Sequence, residues 1–379
     1  MAEYYLIVKT GDAEMKALEQ SSSRVLDSII PIIELTRGRK LPSKEKDPEL
    51  RKKEKAKYPY DKKLERICKV LAGRKVVFDL TSDKSLMSDE TDMLYNPANG
   101  YENWISFLSN LQQSGAFSEL IPSIIIGEND SNIDASIKEQ TKTLTGLFNG
   151  IAYRSDIFDD NCYFDIEHNI VPFLNGKKLY VIVDCSYVIQ ANISQYYNRV
   201  KARVKNLHTI VPPESTIIVS ATSFPRNIGE VGDDTTDSFQ LSEVAISKSL
   251  ASDGLLASYS DYGSINPVRN DNIVMAHGWI PRIDVPLKES FFYYRERKPK
   301  LSKEYAETYK QVARVVIRHK DFPNDMDDNW GIQQIKACAA GYSPASAPSF
   351  WISVRMCIHL EQQVSRLAAL DKRRSWPDR

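Results

Sequence analysis

The chain has 379 residues, 42% hydrophobic, 26% charged and 10% aromatic, an ordinary globular make-up long enough for one large barrel with an appendage or for two smaller domains. Fifty Lys and Arg balance fifty Asp and Glu, which excludes a surface that tracks nucleic acid over its whole extent but leaves room for local patches. No apolar run reaches the roughly 18 residues of a membrane span, the opening Met1–Lys9 does not read as a signal peptide, and five scattered cysteines without a CxxC pair (Cys68, Cys162, Cys185, Cys338, Cys357) fit small buried thiols in a reducing cytoplasm rather than a disulfide frame or a zinc site.

Short runs rich in Ile, Val and Tyr recur along the chain with helix-like segments between them. Tyr4 to Lys9 comes first, followed by a helical pattern from Ala13 to Leu26. Ile29 to Leu35 is the second run and Lys75 to Leu80 the third, separated by a helical pattern from Tyr60 to Leu71. Helical spacing over Tyr101 to Leu111 leads to the fourth run, Leu120 to Gly127, and Ile133 to Phe148 leads to the fifth, Gly150 to Arg154. Lys178 to Asp184, Thr216 to Ala221 and Leu256 to Asp261 complete eight, with helical patterns over Val188 to Leu207 and Phe239 to Leu250. Strands this apolar are buried on both faces, and eight of them alternating with helices predict an α/β fold, a TIM-like (β/α)8 barrel. An open doubly wound sheet is the alternative, because closure leaves no mark in a sequence.

After the eighth run the pattern changes. Trp279 to Val285 and Phe291 to Arg295 read as a β-hairpin, and Ser302 to Arg318, Ile332 to Ala340 and Phe350 to Leu370 as helices. The expected organisation is a barrel over residues 1–275 and a C-terminal hairpin and helical cap over 276–379. Residues 36–59 form an insertion after the second strand, longer than the few residues usual there. It holds ten Lys or Arg (Arg37, Arg39, Lys40, Lys44, Lys46, Arg51, Lys52, Lys53, Lys55, Lys57) against four acids, a net charge of +6.

In such barrels the C-terminal strand ends supply the site. Here those ends read Lys9, Glu34, Asp79, Glu128, Arg154, Asp156, Asp184, Ser220, Asp261 and Tyr262. Charge so close to an apolar core is costly unless it is paired or metal-bound. Lys9, Glu34, Asp79 and Asp184 are therefore the catalytic candidates, and Glu34, Asp79 and Asp156 the candidate ligands for Mg²⁺ or Mn²⁺, which prefer oxygen. An internal ring of salt bridges, or Asp side chains capping helices as Asp83 and Asp130 would, accounts for the same residues without chemistry. The extended segment around Tyr294, Arg295 and Arg297 is a candidate for binding an anionic substrate together with Arg154; an edge strand with solvated charges is the plainer account. No HExxH, Ser/His/Asp, GxGxxG or GxxxxGK[ST] pattern occurs, so zinc-protease chemistry, a catalytic triad and a common nucleotide cofactor have no support.

Tyr4-x-x-Ile7-x-Lys9, then Gly11-x-x-Glu14-x-x-Ala17-Leu18 and Ile30-Pro31-Ile32-Ile33-Glu34, resemble the bacterial and phage "beta family protein" group. So do the tyrosine–arginine segment at Tyr294-Arg295, then Asp328-x-Trp330-Gly331, Ala339-Ala340-Gly341 and Pro348-x-x-Trp351-x-x-x-Arg355-x-x-x-His359. The chain departs from the group at Ile358-His359, where a pair of histidines is common, which weakens a metal role there. The resemblance implies a barrel-like fold and an occurrence among phage and mobile-element genes. It marks Lys9, Glu14, Glu34, Asp79, Arg295, Trp330, Trp351 and Arg355 as positions to watch, and it brings in a role in phage–host conflict or antiphage defence as an association.

Three functions follow as expectations. The first is metal-assisted hydrolysis of a phosphodiester, nucleotide or nucleic acid, with strand-end carboxylates for the metal, Lys9, Arg154, Arg295 and Arg297 for the anion, and the 36–59 insertion for a polyanion. The substrate-binding set is then Arg154, Tyr294, Arg295, Arg297, Trp351 and Arg355. The second is a non-catalytic component that binds a partner protein or nucleic acid. The third is a sensor of a small anionic metabolite, closed by the acidic Gly232 to Asp237 loop.

Overall fold

The computed structural model describes residues 3–43, 47, 56–226, 235–268, 279–299 and 304–374. Strands β1 (Tyr4–Val8), β2 (Ile29–Leu35), β3 (Lys75–Leu80), β4 (Glu119–Pro122), β5 (Gly150–Asp156), β6 (Lys178–Tyr187) and β7 (Thr216–Thr222) join β9 (Ser258–Asp261) in one parallel sheet. Its order is β4-β3-β2-β1-β9-β7-β6-β5. The two ends of that order meet: Ser123 and Ala152 form a parallel bridge, and the Ile124 N–H donates to the Ala152 carbonyl at 2.9 Å. The sheet thus closes into an eight-stranded barrel with helices around it, as the eight apolar runs predict.

The fourth run is the weak seam, and a side chain explains why. The Gln140 amide donates to the Ile125 carbonyl at 2.8 Å and accepts from the Ile125 N–H at 3.1 Å. Both backbone groups of Ile125 are satisfied by a helix rather than by a neighbouring strand. The strand therefore stops at Pro122 instead of running on to Gly127.

Side chains alternate along a strand, so each strand sends every second residue into the barrel. Tyr5, Ile7, Ile32, Val77, Ile121, Ala152, Tyr180, Ile182, Ile218 and Tyr262 pack together there as a closed apolar column. The intervening residues, such as Leu6, Val8, Ile33, Phe78, Val181 and Val219, face the helices in the main core. Glu102–Gln113 shows how such a helix is specified: Trp104, Ile105, Leu108 and Leu111 fall on one stripe and are buried.

The C-terminal region differs from a simple hairpin cap. Strand β8 (Thr236–Gln240) leaves the barrel between β7 and β9 and pairs antiparallel with β11 (Ser290–Arg295), which pairs in turn with β10 (Arg282–Pro286). The boundary expected at residue 275 is therefore crossed by a strand. The last helix, Pro348–Arg374, lies within the C-terminal region and packs on the barrel. That helix packs on the Asp12–Gln20 helix and puts Met356, Leu360, Val364 and Leu367 into the barrel's main core, while Trp351, Val354 and Ile358 enter the second core beside β10. It stands where the helix after β9 belongs in an eightfold barrel.

Burial of those four aliphatic side chains contributes about 6–12 kcal/mol, as much as a domain's whole net stability. A chain ending at Ala347 is expected to lose its cooperative thermal transition by circular dichroism, and a cooperative melt near the full-length midpoint would contradict this role.

Candidate functional site

Arg154, at the C-terminal end of β5, reaches across the top of the apolar column. Its Nη1 donates to Glu34 Oε2 at 2.9 Å and Asp79 Oδ2 at 3.0 Å; Nη2 and Nε donate to Asp184 Oδ2 at 2.7 and 3.1 Å. Nη2 also meets the Tyr262 hydroxyl at 3.1 Å, and that hydroxyl donates to Asp184. Lys9 Nζ lies 3.2 Å from the other oxygen of Glu34, and Thr81 donates to it at 2.9 Å. Five strands meet here for one reason: Lys9, Glu34, Asp79, Arg154 and Asp184 all continue the inward parity of their strands.

The ring holds two cations and three carboxylates. Burial works against the charge of Arg154, but Tyr262, Asp184, Glu34 and Asp79 together hold its pKa well above the ordinary value. Burial alone would raise Glu34, yet Arg154 and Lys9 outweigh it, and the carboxyl lies below its usual range. Asp79 goes the other way: burial raises it, Arg154 only partly offsets this, and the charge of Glu34 adds to the rise. Two carboxyls on one guanidinium nitrogen are thus pushed apart in acidity. The side chains are not sealed off, since 19% of Arg154, 16% of Lys9 and 12% of Asp184 remain exposed.

Asp156, expected among the metal ligands, stands apart. It is exposed, its Oδ1 accepts from the Phe158 N–H at 2.7 Å, and its charge acts on Cys185 and Tyr196 of the outer layer. Between Glu34 and Asp79, where Mg²⁺ or Mn²⁺ would sit, the guanidinium stands. Among the described residues no group of three His, Cys, Asp or Glu side chains is placed to hold a metal ion.

The other expected positions lie outside the ring. Glu128 is exposed and pairs with Lys84; Ser220 is buried against Ser260. Glu14 accepts from the Lys9 and Gly11 N–H groups and so fixes the turn after β1. Asp261 has the opposite parity to Tyr262 and faces outward. It accepts from the Tyr4 and Tyr259 hydroxyls and meets His359 Nε2 of the last helix at 2.7 Å. Close by, burial and then the charge of Asp261 push the Glu243 carboxyl up to about 7.

The arginine- and tryptophan-rich elements, expected to bind substrate, are mostly internal. Trp351 is buried and stacks on Tyr309; Arg355 is buried, donates to Asp284 at 2.9 Å and lies 3.6 Å over the Phe224 ring, and burial lowers its pKa to about 10. Arg295 is buried, Tyr294 packs on the second core and only Arg297 is exposed. Trp330 packs edge-on against Phe350, and His319 stacks on Phe292. Of the 36–59 insertion, Lys44, Lys46, Arg51, Lys52, Lys53 and Lys55 lie outside the described residues. Arg37 covers Tyr58 and Arg39 pairs with Asp12. Gly232, Asp233 and Asp234 of the acidic loop also lie outside the described residues.

Beside the ring a cleft of about 810 Å³ opens between the loops after β2, β3 and β4. Tyr95 is part of its wall, and the Tyr95 hydroxyl donates to the Leu80 carbonyl at 2.9 Å, one residue beyond Asp79. Sequence reasoning misses Tyr95 and Thr81. Thr81 can be found by carrying the inward parity of β3 two residues past Asp79; Tyr95, in a loop, leaves no such mark.

The opposed acidities make a testable contrast in stability. Glu34 has a lowered pKa, so its contribution is present above the unfolded value and is lost as pH falls through the folded one. Removing it leaves buried cations uncompensated, and Glu34→Gln is expected to cost about 3–5 kcal/mol at pH 7, with the penalty shrinking below about pH 4. Asp79 has a raised pKa, so its contribution is present at low pH and lost as pH rises. Asp79→Asn should therefore cost less than Glu34→Gln, and less at pH 7 than at pH 4. Urea unfolding at the two pH values checks both signs; equal penalties with the same pH trend would refute the contrast.

Comparison with known proteins is consistent with the sequence resemblance. The structure of tryptophan synthase subunit alpha from Campylobacter jejuni aligns with 58% of this chain and 76% of its own at 12% identity, with a TM-score of 0.29, so the barrel assignment rests on the strand order itself. Protein beta of Enterobacteria phage P4 is 28% identical over 374 residues, covering 97% of this chain and 94% of that protein. The Beta protein family matches residues 4–365, and the chain belongs to that family.

Proposed function

We propose that the barrel mouth is the active site of an enzyme working by proton transfer, with hydrolysis as its simplest reaction. The observation that supports this reading is the pair Glu34 and Asp79. Both bond one guanidinium nitrogen, yet Glu34 is held ionised and Asp79 is pushed toward carrying a proton. Acid–base catalysis uses carboxyls whose surroundings drive their acidities apart, because one must hold charge while the other gives or takes a proton near neutral pH. In this reading Asp79 moves the proton, Arg154 and Tyr262 orient it and Asp184, and Lys9 with Glu34 sets the field. The arrangement favours this over the metal-assisted phosphodiester reaction. Arg154 fills the place between the carboxylates, and two cations against three carboxylates leave no surplus positive charge for a phosphate. The phage source of the relative suggests phage–host conflict as the setting.

A panel of p-nitrophenyl esters, p-nitrophenyl phosphate, bis-p-nitrophenyl phosphate, DNA and RNA, with and without Mn²⁺, tests the reading. Metal-independent turnover of at least one substrate is expected, falling about 100-fold or more in Asp79→Asn, the scale of one general acid–base group. Turnover that requires Mn²⁺ would restore the metal mechanism. The second reading, a binding component without chemistry, draws on the fact that each charged group of the ring already has a partner. Phage restriction left intact by Asp79→Asn would favour it.

A further inference from the structure

A second group of ionisable side chains lies behind the mouth, on the outward face of the barrel wall. Asp261 is buried there and accepts four hydrogen bonds. Its Oδ1 takes the Tyr4 hydroxyl and the Gly263 N–H, both at 2.8 Å; its Oδ2 takes the Tyr259 hydroxyl and His359 Nε2, both at 2.7 Å. Burial works against the charge, but His359 and these hydrogen bonds hold the carboxyl below its usual range. The bond to Gly263 bears on the mouth. It closes the turn from Asp261 through Tyr262 to Gly263, and so fixes how the Tyr262 hydroxyl reaches Asp184 and Arg154.

Glu243, in the first turn of the helix Ser242–Ser252, belongs to the same group and is only 4% exposed. Around it stand Tyr4 from β1, Tyr259 and Asp261 from β9, and His359 and Arg366 from the last helix. Beyond β7 the neutral Ser223 lies close enough to lower its pKa, though the hydroxyl makes no hydrogen bond of ordinary geometry. The helix Ile193–Ile210 meets the far end of Glu243's helix, where Tyr197 and Lys201 both engage Asp253; Lys248 is held by Glu289. Glu243 Oε2, His359 Nδ1 and both Nη atoms of Arg366 are buried with no hydrogen-bond partner among the described residues. The Arg366 guanidinium instead lies 4.4 Å over the Tyr259 ring. The cavity that Glu243 and Tyr259 line measures about 10 Å³, room for about one water. A carboxylate formed here gains no hydration shell and faces the charge of Asp261. Burial first, and then Asp261, therefore push Glu243 up to about 7.

We propose that Glu243 is a proton-operated switch behind the barrel mouth. Protonated, it leaves Asp261 free to clamp the turn at Gly263. Ionised, it repels Asp261 and draws the donors of Arg366, which shifts the last helix against the turn and moves the Tyr262 hydroxyl on Asp184 and Arg154. The proposal adds regulation to the acid–base reading and rests on that reading for its effect on catalysis. The switch itself is read without a substrate.

Glu243→Gln keeps the shape of the protonated side chain and cannot ionise. A raised folded pKa contributes stability that is present below the unfolded value, near 4.5, and lost as pH rises through about 7. In urea unfolding the gap between wild type and variant should therefore widen on the order of 100-fold in the folding equilibrium between about pH 4.5 and about pH 8, with the wild type the less stable. The Arg154 Nε–H resonance should show a step near pH 7 in the wild type that is missing from the variant. Glu243→Met, equally unable to ionise, carries both measurements if Glu243→Gln does not fold. A gap that stays constant with pH would overturn the proposal, because Glu243 would not titrate in this range. A widening gap with the same Arg154 step in wild type and variant would overturn it too, because the switch would not reach the mouth. Asp79→Asn should leave the widening gap intact, so a failure of the catalytic reading and a failure of the switch read out separately.

Discussion

A single guanidinium organises the mouth of this barrel. Arg154 is the side chain of the ring that touches Glu34 from β2, Asp79 from β3, Asp184 from β6 and Tyr262 beyond β9. Three carboxylates at the end of an apolar column would repel one another and lose their hydration; the planar donor fork stabilises the arrangement by meeting them at once. The seam between β4 and β5 is closed by one bridge, so the span from β5 across to β2 and β3 also ties the two sides of that seam together. The proposed chemistry and the closure of the barrel thus share one residue.

The outer layer depends on a second pairing. The last helix carries Trp351, Arg355 and His359 at spacings of four, which puts them on one face. Trp351 stacks on Tyr309, Arg355 reaches Asp284 of the three-stranded sheet, and His359 reaches Asp261 of the barrel. The same face therefore locks the appended sheet and the barrel to one helix. Gly263, left-handed at φ 61°, follows Tyr262 and lies so close to Met356 that a Cβ would fall 2.8 Å from its methyl. The turn that presents Tyr262 to the mouth is held from behind by the helix.

Much of this is legible in the residues. Strands buried on both faces leave continuous apolar runs, and a charge directly after such a run must be met by a partner. Lys9, Glu34, Asp79, Arg154 and Asp184 can be named for that reason. What meets them cannot: a metal and an arginine both answer buried carboxylates, and only the reach of Arg154 across the mouth separates them. Asp261 and Tyr262 show a second limit. Neighbours at the end of a four-residue strand differ only in parity, and the sequence does not mark which one faces inward. Strand β8 is hidden because Thr236 to Gln240 is mostly exposed and has no apolar pattern. The last helix is legible as a helix, but a stripe serving two cores gives no sign of which structure it completes.

Arg154 and Lys9 outweigh burial and hold Glu34 low, whereas at Asp79 burial and the charge of Glu34 outweigh Arg154, and this separation of the two acidities is the central claim. Carboxyl carbon-13 shifts of the two residues, followed from about pH 2 to about pH 9 and assigned with Glu34→Gln and Asp79→Asn, measure it directly. The account predicts that Glu34 titrates below the ordinary glutamate range and Asp79 above the ordinary aspartate range, with Asp79 the weaker acid. Titration in the reverse order, or of both at ordinary values, would contradict it.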